Sequence, residues 1–144
     1  MALKAVVVLV DGREVEVEDY ISTEGRELIE KVIIPDVNLT CAVNNVVRSS
    51  AGLAVVTAAV SLDKEGKKVI ALDGVSPKSN GATKPVRLRD VESQNLDSES
   101  LEKAVAEAVY PTADLIGSVE YKRYIAGIVV TDLLAESQKM AEEA

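Results

Sequence analysis

The core of this chain has to be built from aliphatic side chains. The sequence contains no phenylalanine and no tryptophan, whereas 23 of its 144 residues are valine. Valine is β-branched and enriched in strands, so much of the structure should be sheet. A chain of this length buries roughly two-thirds of its unfolded surface in one core, and it therefore needs neither disulfides nor a metal to fold. We expect a soluble globular protein.

The absence of histidine excludes several kinds of chemistry, among them Ser-His-Asp and Cys-His nucleophilic schemes, His-based metal sites and imidazole acid–base catalysis. The single cysteine, Cys41, rules out an internal disulfide and is interpreted as a small buried hydrophobe, with a reactive thiol as the alternative. A formal charge of -8 disfavours nucleic acid as a partner. No apolar run reaches the roughly 18 to 20 residues of a membrane span, so the expected location is cytoplasmic.

Strand patterns fill the first half of the chain. Asp11-Gly12 favours a tight hairpin turn in which both central residues have positive φ. Pro35 ends a later strand because it cannot donate to a ladder. Turn formers in residues 76–84 predict an exposed loop with Asn80-Gly81 at its tip. The expected strands cover residues 5–10, 14–17, 28–34, 42–47, 54–62 and 68–72, the last two pairing antiparallel across a polar loop.

The last third of the chain changes to a helical period. Asp97 or Ser98 should cap a helix that Pro111 ends, and residues 85–95 should hold a short helix. A longer helix should begin at Ser118 and turn five side chains inward, namely Tyr121, Ile125, Ile128, Val129 and Leu133. Strands followed by helices predict an α+β fold. We expect an antiparallel sheet of three to four strands with helices packed on one face, preceded by an N-terminal β-hairpin.

Three groups of residues could carry chemistry, and each has a simpler structural interpretation. Carboxylates bind Mg²⁺ and Ca²⁺, but their spacing of two along a strand favours a solvated sheet face; these residues are Glu14, Glu16, Glu18 and Asp19. Ser49 and Ser50 are nucleophiles only with a base beside them, and serines of this kind are more often found in turns.

The third group is Tyr121-Lys122-Arg123-Tyr124, the densest cationic and aromatic segment of the chain. Four consecutive helical residues point to different sides, which disfavours a single binding patch. The favoured interpretation places Tyr121 in the core and pairs Arg123 with a carboxylate such as Asp114.

The sequence DLIGSVEYKRYIAGIVVTDLLAES, residues 114–137, resembles the C-terminal signature of the FAD-carrying medium subunits of the carbon monoxide dehydrogenase and xanthine dehydrogenase family. That family shows an Asp, a Ser four positions on, and a Tyr-Arg-Arg triplet that opens a long apolar helix. Asp114, Ser118, Tyr121 and Arg123 match this signature as structural residues, while Lys122 stands where the first Arg is usual. Three further blocks occur in the family's order: ELIEKVIIP (27–35), RSSAGLAVVTAAVSL (48–62) and VIALDGVSP (69–77).

The resemblance implies one part of a molybdenum hydroxylase, an oxidoreductase complex. Residues 1–35 correspond to the end of the FAD domain and residues 36–137 to the C-terminal α+β domain. Apart from the resemblance, the Glu- and Ala-rich composition of residues 138–144 predicts that the last helix frays there into a flexible tail. The family's FAD-gripping glycine loops precede this part. The resemblance therefore assigns FAD to the intact subunit, with no flavin held by this chain alone, no catalytic residue and no metal ligand. The partners it implies are the FAD domain, the molybdopterin subunit and the iron–sulfur subunit, with a homo-oligomer as a further possibility.

Residue by residue, the resemblance carries over little of the flavin site. Ile29 lies where the family has an aliphatic residue on the flavin side. Asn44 replaces a Lys near the flavin or its acceptor, and an amide does not supply the positive charge of an ammonium. Leu88 and Ser93 stand where the family tends to have Glu and Gly.

The function that the resemblance implies is a docking and flavin-site-closing domain, which supports electron transfer and subunit assembly without catalysis of its own. Two alternatives are kept. One is a stand-alone interaction or oligomerisation domain of the same fold. The other is a small-ligand-binding protein with Lys78, Asn80 or Arg123 lining a pocket.

Overall fold

The computed structural model describes residues 1–23, 26–35, 38–79 and 81–143 and contains two antiparallel sheets with helices packed against them. The smaller sheet has the strand order β2-β1-β3, and the larger has the order β4-β5-β6-β7. The expected α+β fold is confirmed. The strands are β1 (Val6–Leu9), β2 (Glu14–Glu16), β3 (Ile29–Ile33), β4 (Leu39–Val47), β5 (Ala54–Asp63), β6 (Lys68–Asp73) and β7 (Val86–Arg87). The helices are α1 (Val17–Ser22), α2 (Arg89–Glu92), α3 (Ser98–Ala108) and α4 (Val119–Glu143).

The N-terminal hairpin forms as expected, with a different turn. Val7 of β1 lies opposite Val15 of β2. Gly12 has a φ of 85°, whereas Asp11 does not adopt a positive φ. The Leu9 N–H donates to the Arg13 carbonyl at 2.9 Å, which closes a three-residue loop. In a loop of this kind only the last residue needs the left-handed conformation, and glycine supplies it.

The second arm of the hairpin ends earlier than expected because the chain turns into α1 at Val17. Glu14 and Glu16 are exposed on β2, but Glu18 and Asp19 lie in the first turn of the helix. Carboxylates at that position interact favourably with the helix dipole. The four acidic residues therefore do not share one strand face.

In the larger sheet β4 starts at Leu39 and pairs with β5, with Ala42 opposite Val60. The expected hairpin of β5 and β6 is confirmed, with Ser61 opposite Val69. Strand β7 was not expected, since two residues are too few to show a period. The expected loop at 76–84 is present, and its proposed tip residue Asn80 lies outside the described residues.

In the last third of the chain, the helices begin at the capping residues that the sequence predicts. The Asp97 side chain accepts the Ser100 N–H at 2.8 Å and begins α3, which buries Leu101 and Val105. α3 ends at Ala108, ahead of Pro111, and the short helix expected in residues 85–95 is α2. Ser118 caps α4, because its Oγ accepts the Tyr121 N–H at 3.1 Å.

The inward face of α4 is rotated from the expected one. Val129 and Leu133 are buried as expected and Ile125 and Ile128 are half-buried, but Tyr121 is 40% exposed, so its assignment to the core is wrong. α4 meets α3 at Gly127, where an added Cβ would lie 2.6 Å from the Glu102 carbonyl oxygen. This close backbone approach sets the rotation. The buried side is formed by Lys122, Ala126, Gly127, Val129, Val130, Leu133, Leu134 and Ser137.

α4 continues to Glu143, whereas we expected the helix to fray from residue 138. Ser137 is fully buried and Met140 packs against the core, so tertiary contacts extend the helix. Ala, Glu, Lys and Met are also strong helix formers. Among the described residues, no helix combines the length and the apolar composition needed to cross a membrane.

The two sheets are joined by specific polar contacts. The buried Ser61 hydroxyl donates to the Ala2 carbonyl at 2.7 Å. Lys4 Nζ lies 3.4 Å from the Asp63 carboxylate, and Arg89 pairs with Glu18. The main core lies between the larger sheet and the helices, and valine is its commonest side chain. At the other end of the sheet, three loops meet where α4 begins.

Candidate functional site

Asp114 holds together the loops at the start of α4. Its Oδ2 accepts hydrogen bonds from Lys78 Nζ at 2.7 Å and from Lys122 Nζ at 2.9 Å. Lys78 comes from the β6–β7 loop, and Lys122 is the fourth residue of α4. One carboxylate thus connects two loops to the longest helix. We call Asp114, Lys78 and Lys122 the Asp114 clasp.

The other carboxylate oxygen orders the loop itself. Oδ1 of Asp114 accepts the Ile116 N–H at 3.0 Å and the Gly117 N–H at 3.2 Å, and the Asp114 N–H donates to the Gly117 carbonyl at 3.1 Å. The hydrogen bonds from Lys78 and Lys122, followed by those from the two backbone amides, hold the pKa of the Asp114 carboxyl well below its usual range. Asp114 is therefore ionised in the folded protein at neutral pH.

Lys122 is the unexpected member of the clasp, because only 2% of its surface is exposed. Its ammonium also donates to the Thr112 carbonyl at 3.0 Å. The sequence interpretation paired Asp114 with Arg123, and that is wrong, since the rotation of α4 brings Lys122 to the buried side instead. The burial of Lys122 could have been predicted from the sequence. The apolar residues at 126, 129, 130 and 133 define a helix face that includes position 122.

Arg123 lies against the end of α3. Its Nε donates to the Val109 carbonyl at 3.1 Å, and its guanidinium sits 5.6 Å from the centre of the Tyr110 ring. This distance is within the range of a cation–π contact. Tyr121 packs on Gly117, where an added Cβ would lie 2.9 Å from the tyrosine ring. Arg123 therefore contacts the end of α3, whereas Tyr121 contacts the loop before α4. The two residues do not belong to one cluster.

A cavity of about 380 Å³ opens beside the clasp. Lys78 lines it, as do Asp73 and Thr83, whose side chains bond to each other at 2.8 Å. The third sequence candidate for a pocket, Arg123, does not line this cavity, and Asn80 lies outside the described residues. The two lysines and two carboxylates of this cavity and the Thr83 hydroxyl already bond to protein partners.

The outer strand of the smaller sheet is exposed and carries several aliphatic side chains. All five residues of β3 are exposed, and β3 is the edge of its sheet in the strand order β2-β1-β3. Exposed aliphatic side chains project from both of its faces and from both of its ends. They are Leu28, Ile29, Val32, Ile33 and Ile34, and together with the exposed Val10 of the neighbouring β1–β2 loop we call them the β3 surface.

The two residues tied to the flavin side by resemblance lie in different sheets. Ile29 belongs to the β3 surface and pairs with Leu9 across a bulge. Asn44 is exposed on β4, the edge strand of the larger sheet, opposite the buried Ala58. Both residues are accessible to a group that approaches from outside the described chain.

The remaining sequence candidates have structural surroundings. Glu16 and Glu18 face Arg89, and no group of three acidic, cysteine or histidine residues within the described ranges is arranged to hold a metal ion. Ser49 and Ser50 lie in the turn between β4 and β5. Cys41 is only half-buried on β4, and burial raises the pKa of its thiol, which disfavours the reactive thiolate.

The sequence has close relatives of greater length. The chain is 47% identical over all 144 residues to the uncharacterized protein YgfM of Escherichia coli strain K12, and it is equally similar to YgfM of Escherichia coli O157:H7. It spans 53% of the length of each. No protein-family model matches the chain.

Solved structures match the fold over nearly the whole chain. The carbon monoxide dehydrogenase of Hydrogenophaga pseudoflava, in a form that lacks the Mo-pyranopterin moiety, matches with a TM-score of 0.77 over 96% of this chain and 54% of its own. Quinoline 2-oxidoreductase from Pseudomonas putida 86 matches with a TM-score of 0.71 over 98% of this chain and 55% of its own. Both are 22% identical in sequence. This chain has the fold of part of those proteins.

Proposed function

We propose that this chain is the C-terminal docking and flavin-site-closing domain of the FAD-carrying subunit of a molybdenum-hydroxylase-type oxidoreductase. In this role it supports electron transfer and subunit assembly, and it performs no chemistry of its own. The observation that carries the proposal is the β3 surface, which is exposed on both faces of an edge strand. The fold shared with chains of carbon monoxide dehydrogenase and quinoline 2-oxidoreductase supports the class of complex.

An edge strand with exposed aliphatic side chains on both faces is expected to be covered by another segment or another chain. Its unpaired backbone groups template the pairing of another strand, and natural proteins usually protect such an edge with charges, bulges or a neighbouring segment. Of the five residues of β3, Glu30 and Lys31 are charged and the other three are aliphatic. YgfM, at 47% identity, contains nearly as much additional chain as the part that matches here. We propose that the flavin-binding portion of the intact subunit lies in such additional chain and covers the β3 surface.

This arrangement gives the residues tied to the flavin a consistent role. Residues 1–35 form the end of the FAD-domain segment and residues 36–137 the C-terminal domain. Ile29 contacts the flavin region from the β3 surface, and Asn44 faces it from β4 without the charge that a lysine would bring. FAD is held by the intact subunit, and the molybdopterin and iron–sulfur subunits are its partners in the complex.

A second copy of the chain is the other candidate to cover β3. An edge strand can pair with itself across a two-fold axis, which would make the chain a stand-alone oligomerisation domain. The β3 surface favours both candidates, so the experiment has to separate them.

A chimera of YgfM in which this chain replaces the matching segment tests the proposal. We expect the chimera to purify with FAD, measured by flavin absorbance and fluorescence. Val32→Asp should weaken flavin retention about tenfold, because it puts a charge into a buried docking contact. Leu115→Asp, which changes a more exposed aliphatic residue in the loop before α4, outside the β3 surface, is the control and should retain the flavin.

Two results would contradict the proposal. One is saturable binding of FAD to the 144-residue chain alone at micromolar concentration, because the flavin would then need no other portion. The other is normal flavin content in the Val32→Asp chimera together with a stable dimer of the isolated chain, which would favour self-association.

A further inference from the structure

The main core of the molecule does not include the smaller sheet. Its buried cluster joins the larger sheet to α2, α3 and α4, and no described residue of 1–35 belongs to it. β1, the central strand of the smaller sheet, buries Val7, Val8 and Leu9 apart from that cluster. The smaller sheet and α1 therefore form a packing unit of their own. We call β1, β2, α1 and β3 the N-terminal unit and the rest of the described chain the larger part.

Two cavities lie between the N-terminal unit and the larger part. One, of about 280 Å³, is lined by Glu16 from β2 and by Lys67 and Arg89 from the larger part. The other, also of about 280 Å³, is lined by Ile21 from α1 and by Val86 from β7. Close-packed protein interiors contain few voids of this size. The joint between the two parts is therefore loosely filled.

The direct contacts that hold the joint are polar. The Ser61 hydroxyl donates to the Ala2 carbonyl at 2.7 Å, and Lys4 Nζ lies 3.4 Å from the Asp63 carboxylate. Both contacts anchor the segment ahead of β1. Polar contacts of this kind between parts of one chain permit relative motion, unlike a large apolar interface.

Arg89 connects the two parts on the other side of the first cavity. Its Nε donates to Glu18 Oε1 at 3.2 Å, and its Nη2 lies 3.8 Å from Glu16 Oε2. Arg87 Nη1 also lies 4.0 Å from Glu18, but the Nε and Nη2 of Arg87 bond to Glu92 of the larger part. Both ion pairs described for Arg89 therefore lead to the N-terminal unit, whereas Arg87 is mainly bound within its own part.

These ion pairs hold the joint without making it rigid. The Arg89 side chain is 55% exposed, and an exposed ion pair contributes only a small stabilisation because water and salt screen it. Residues 1–35 contain eight acidic and four basic side chains, and residues 36–144 contain sixteen and twelve. The two parts thus have net charges of the same sign and repel each other at long range. The local ion pairs of Arg89 act against this repulsion.

We infer that the N-terminal unit swings away from the larger part as one body, and that the ion pairs of Arg89 are the latch that keeps it closed. Exposed ion pairs form and break without a change of fold, and the loosely filled joint leaves room for the motion. The β3 surface moves with the N-terminal unit, whereas Asn44 stays with the larger part. On the proposed function, on which this last consequence rests, the latch sets how tightly the two sides of the flavin region close.

Distances between two spin labels on the 144-residue chain test the inference in the absence of flavin and of any partner. In a Cys41→Ala background, the labels are attached through Glu14→Cys on β2 and Glu99→Cys on α3, both at exposed positions. Double electron–electron resonance gives the distribution of distances. We expect a main population for the closed state and a minor population at a longer distance for the open state.

Arg89→Gln should raise the fraction of the longer distance about threefold, because it removes the positive charge of the latch. Glu18→Gln removes the negative charge of the same pair and should raise that fraction likewise. Arg13→Gln is the matched control, because the Arg13 side chain is 57% exposed and pairs with Asp11 and Glu27, which both precede β3 on the N-terminal side of the joint. It should leave the distribution unchanged.

Hydrogen exchange of the β1 amides, measured by mass spectrometry in the same variants, separates a swing from unfolding, since β1 is paired with β2 and β3 inside the N-terminal unit. Exchange should stay as slow in Arg89→Gln as in the unaltered chain. A single distance in every variant, the same distribution in Arg89→Gln as in Arg13→Gln, or faster β1 exchange in Arg89→Gln would each overturn the inference. The flavin content of the Val32→Asp chimera tests the proposed function separately, so the two can fail independently.

Discussion

At the scale of single residues, the decisive feature is a lysine on the buried side of a helix. Lys122 lies at a position that the apolar pattern of α4 directs inward, and the structure accommodates its charge with the Asp114 carboxylate and the Thr112 carbonyl. Lys78 reaches the same carboxylate from the β6–β7 loop, 36 positions before Asp114 in the sequence. Asp114 therefore neutralises a charge that would be costly to bury alone.

We expect Asp114→Asn to destabilise the protein by about 3 kcal/mol, because it leaves the buried Lys122 ammonium without its counter-charge. Lys122→Met should cost only about 1 kcal/mol, since Asp114 keeps Lys78 as a partner and methionine fills the space. The double variant should be more stable than Asp114→Asn alone. Urea denaturation followed by circular dichroism measures these free energies of unfolding. A double variant less stable than either single one would contradict the assignment of the charge pair.

The depressed pKa of Asp114 predicts a pH dependence. A carboxyl with a pKa lowered by folding adds stability above its unfolded pKa of about 3.9, and this stability is lost as pH falls through the folded pKa. The difference in unfolding free energy between the unaltered chain and Asp114→Asn should therefore stay constant from about pH 7 to pH 5 and shrink only below about pH 4. Urea titrations at several pH values measure it, and a difference that already declines between pH 7 and 5 would argue against an ionised clasp.

At the scale of elements, the packing of α3 on α4 determines which residues are buried. Glycine at 127 lets the two backbones approach until the position of a Cβ would be 2.6 Å from the Glu102 carbonyl oxygen. This contact selects one of two apolar stripes on α4 as the inward one. It leaves Tyr121 and Tyr124 outside and moves Lys122 inside.

Gly127→Ala should consequently lower the melting temperature, although alanine is the better helix former by about 1 kcal/mol. The added methyl group has to push the helices apart, at a cost of about 1 to 3 kcal/mol above the gain in propensity. Ala135→Gly, at an exposed position of the same helix, is the control and should cost about 1 kcal/mol from propensity alone. Thermal unfolding gives both values, and a stabilised Gly127→Ala variant would show that the helices are less closely packed.

At the scale of the whole molecule, the chain has a well-packed core and an uncovered edge. The helices cover one face of the larger sheet, whereas β3 projects its aliphatic side chains outward. The β3 edge thus lacks a neighbouring strand within the described ranges, and YgfM contains nearly as much additional chain as the part that matches here.

The isolated chain should associate with itself as its concentration rises, because β3 is an edge strand with three exposed aliphatic side chains that its two charged residues only partly offset. Val32→Lys should reduce this association by placing a charge on the exposed edge strand, without a change in melting temperature. Light scattering across a concentration series measures the effect, and Val43→Lys on the edge strand of the larger sheet is a comparison at a similarly exposed valine. Equal self-association of Val32→Lys and the unaltered chain would mean that the chain does not associate through β3.

The sequence by itself determined the elements whose signals are local. Runs of valine and other aliphatic residues marked β1, β5 and β6, and Asp97 and Ser118 marked the helix starts. The order of strands and helices indicated an α+β fold. It did not determine the two-residue β7, the short α1 or the rotation of α4. The rotation depends on a contact between Gly127 and Glu102, residues from different helices. The apolar residues at 126, 129, 130 and 133 mark the buried face, but this face includes Lys122, whose burial requires the Asp114 carboxylate from another segment. The Asp114 clasp and the exposed β3 surface likewise exist only in the tertiary structure, because each is defined by residues distant in sequence or by the absence of a neighbour among the described residues.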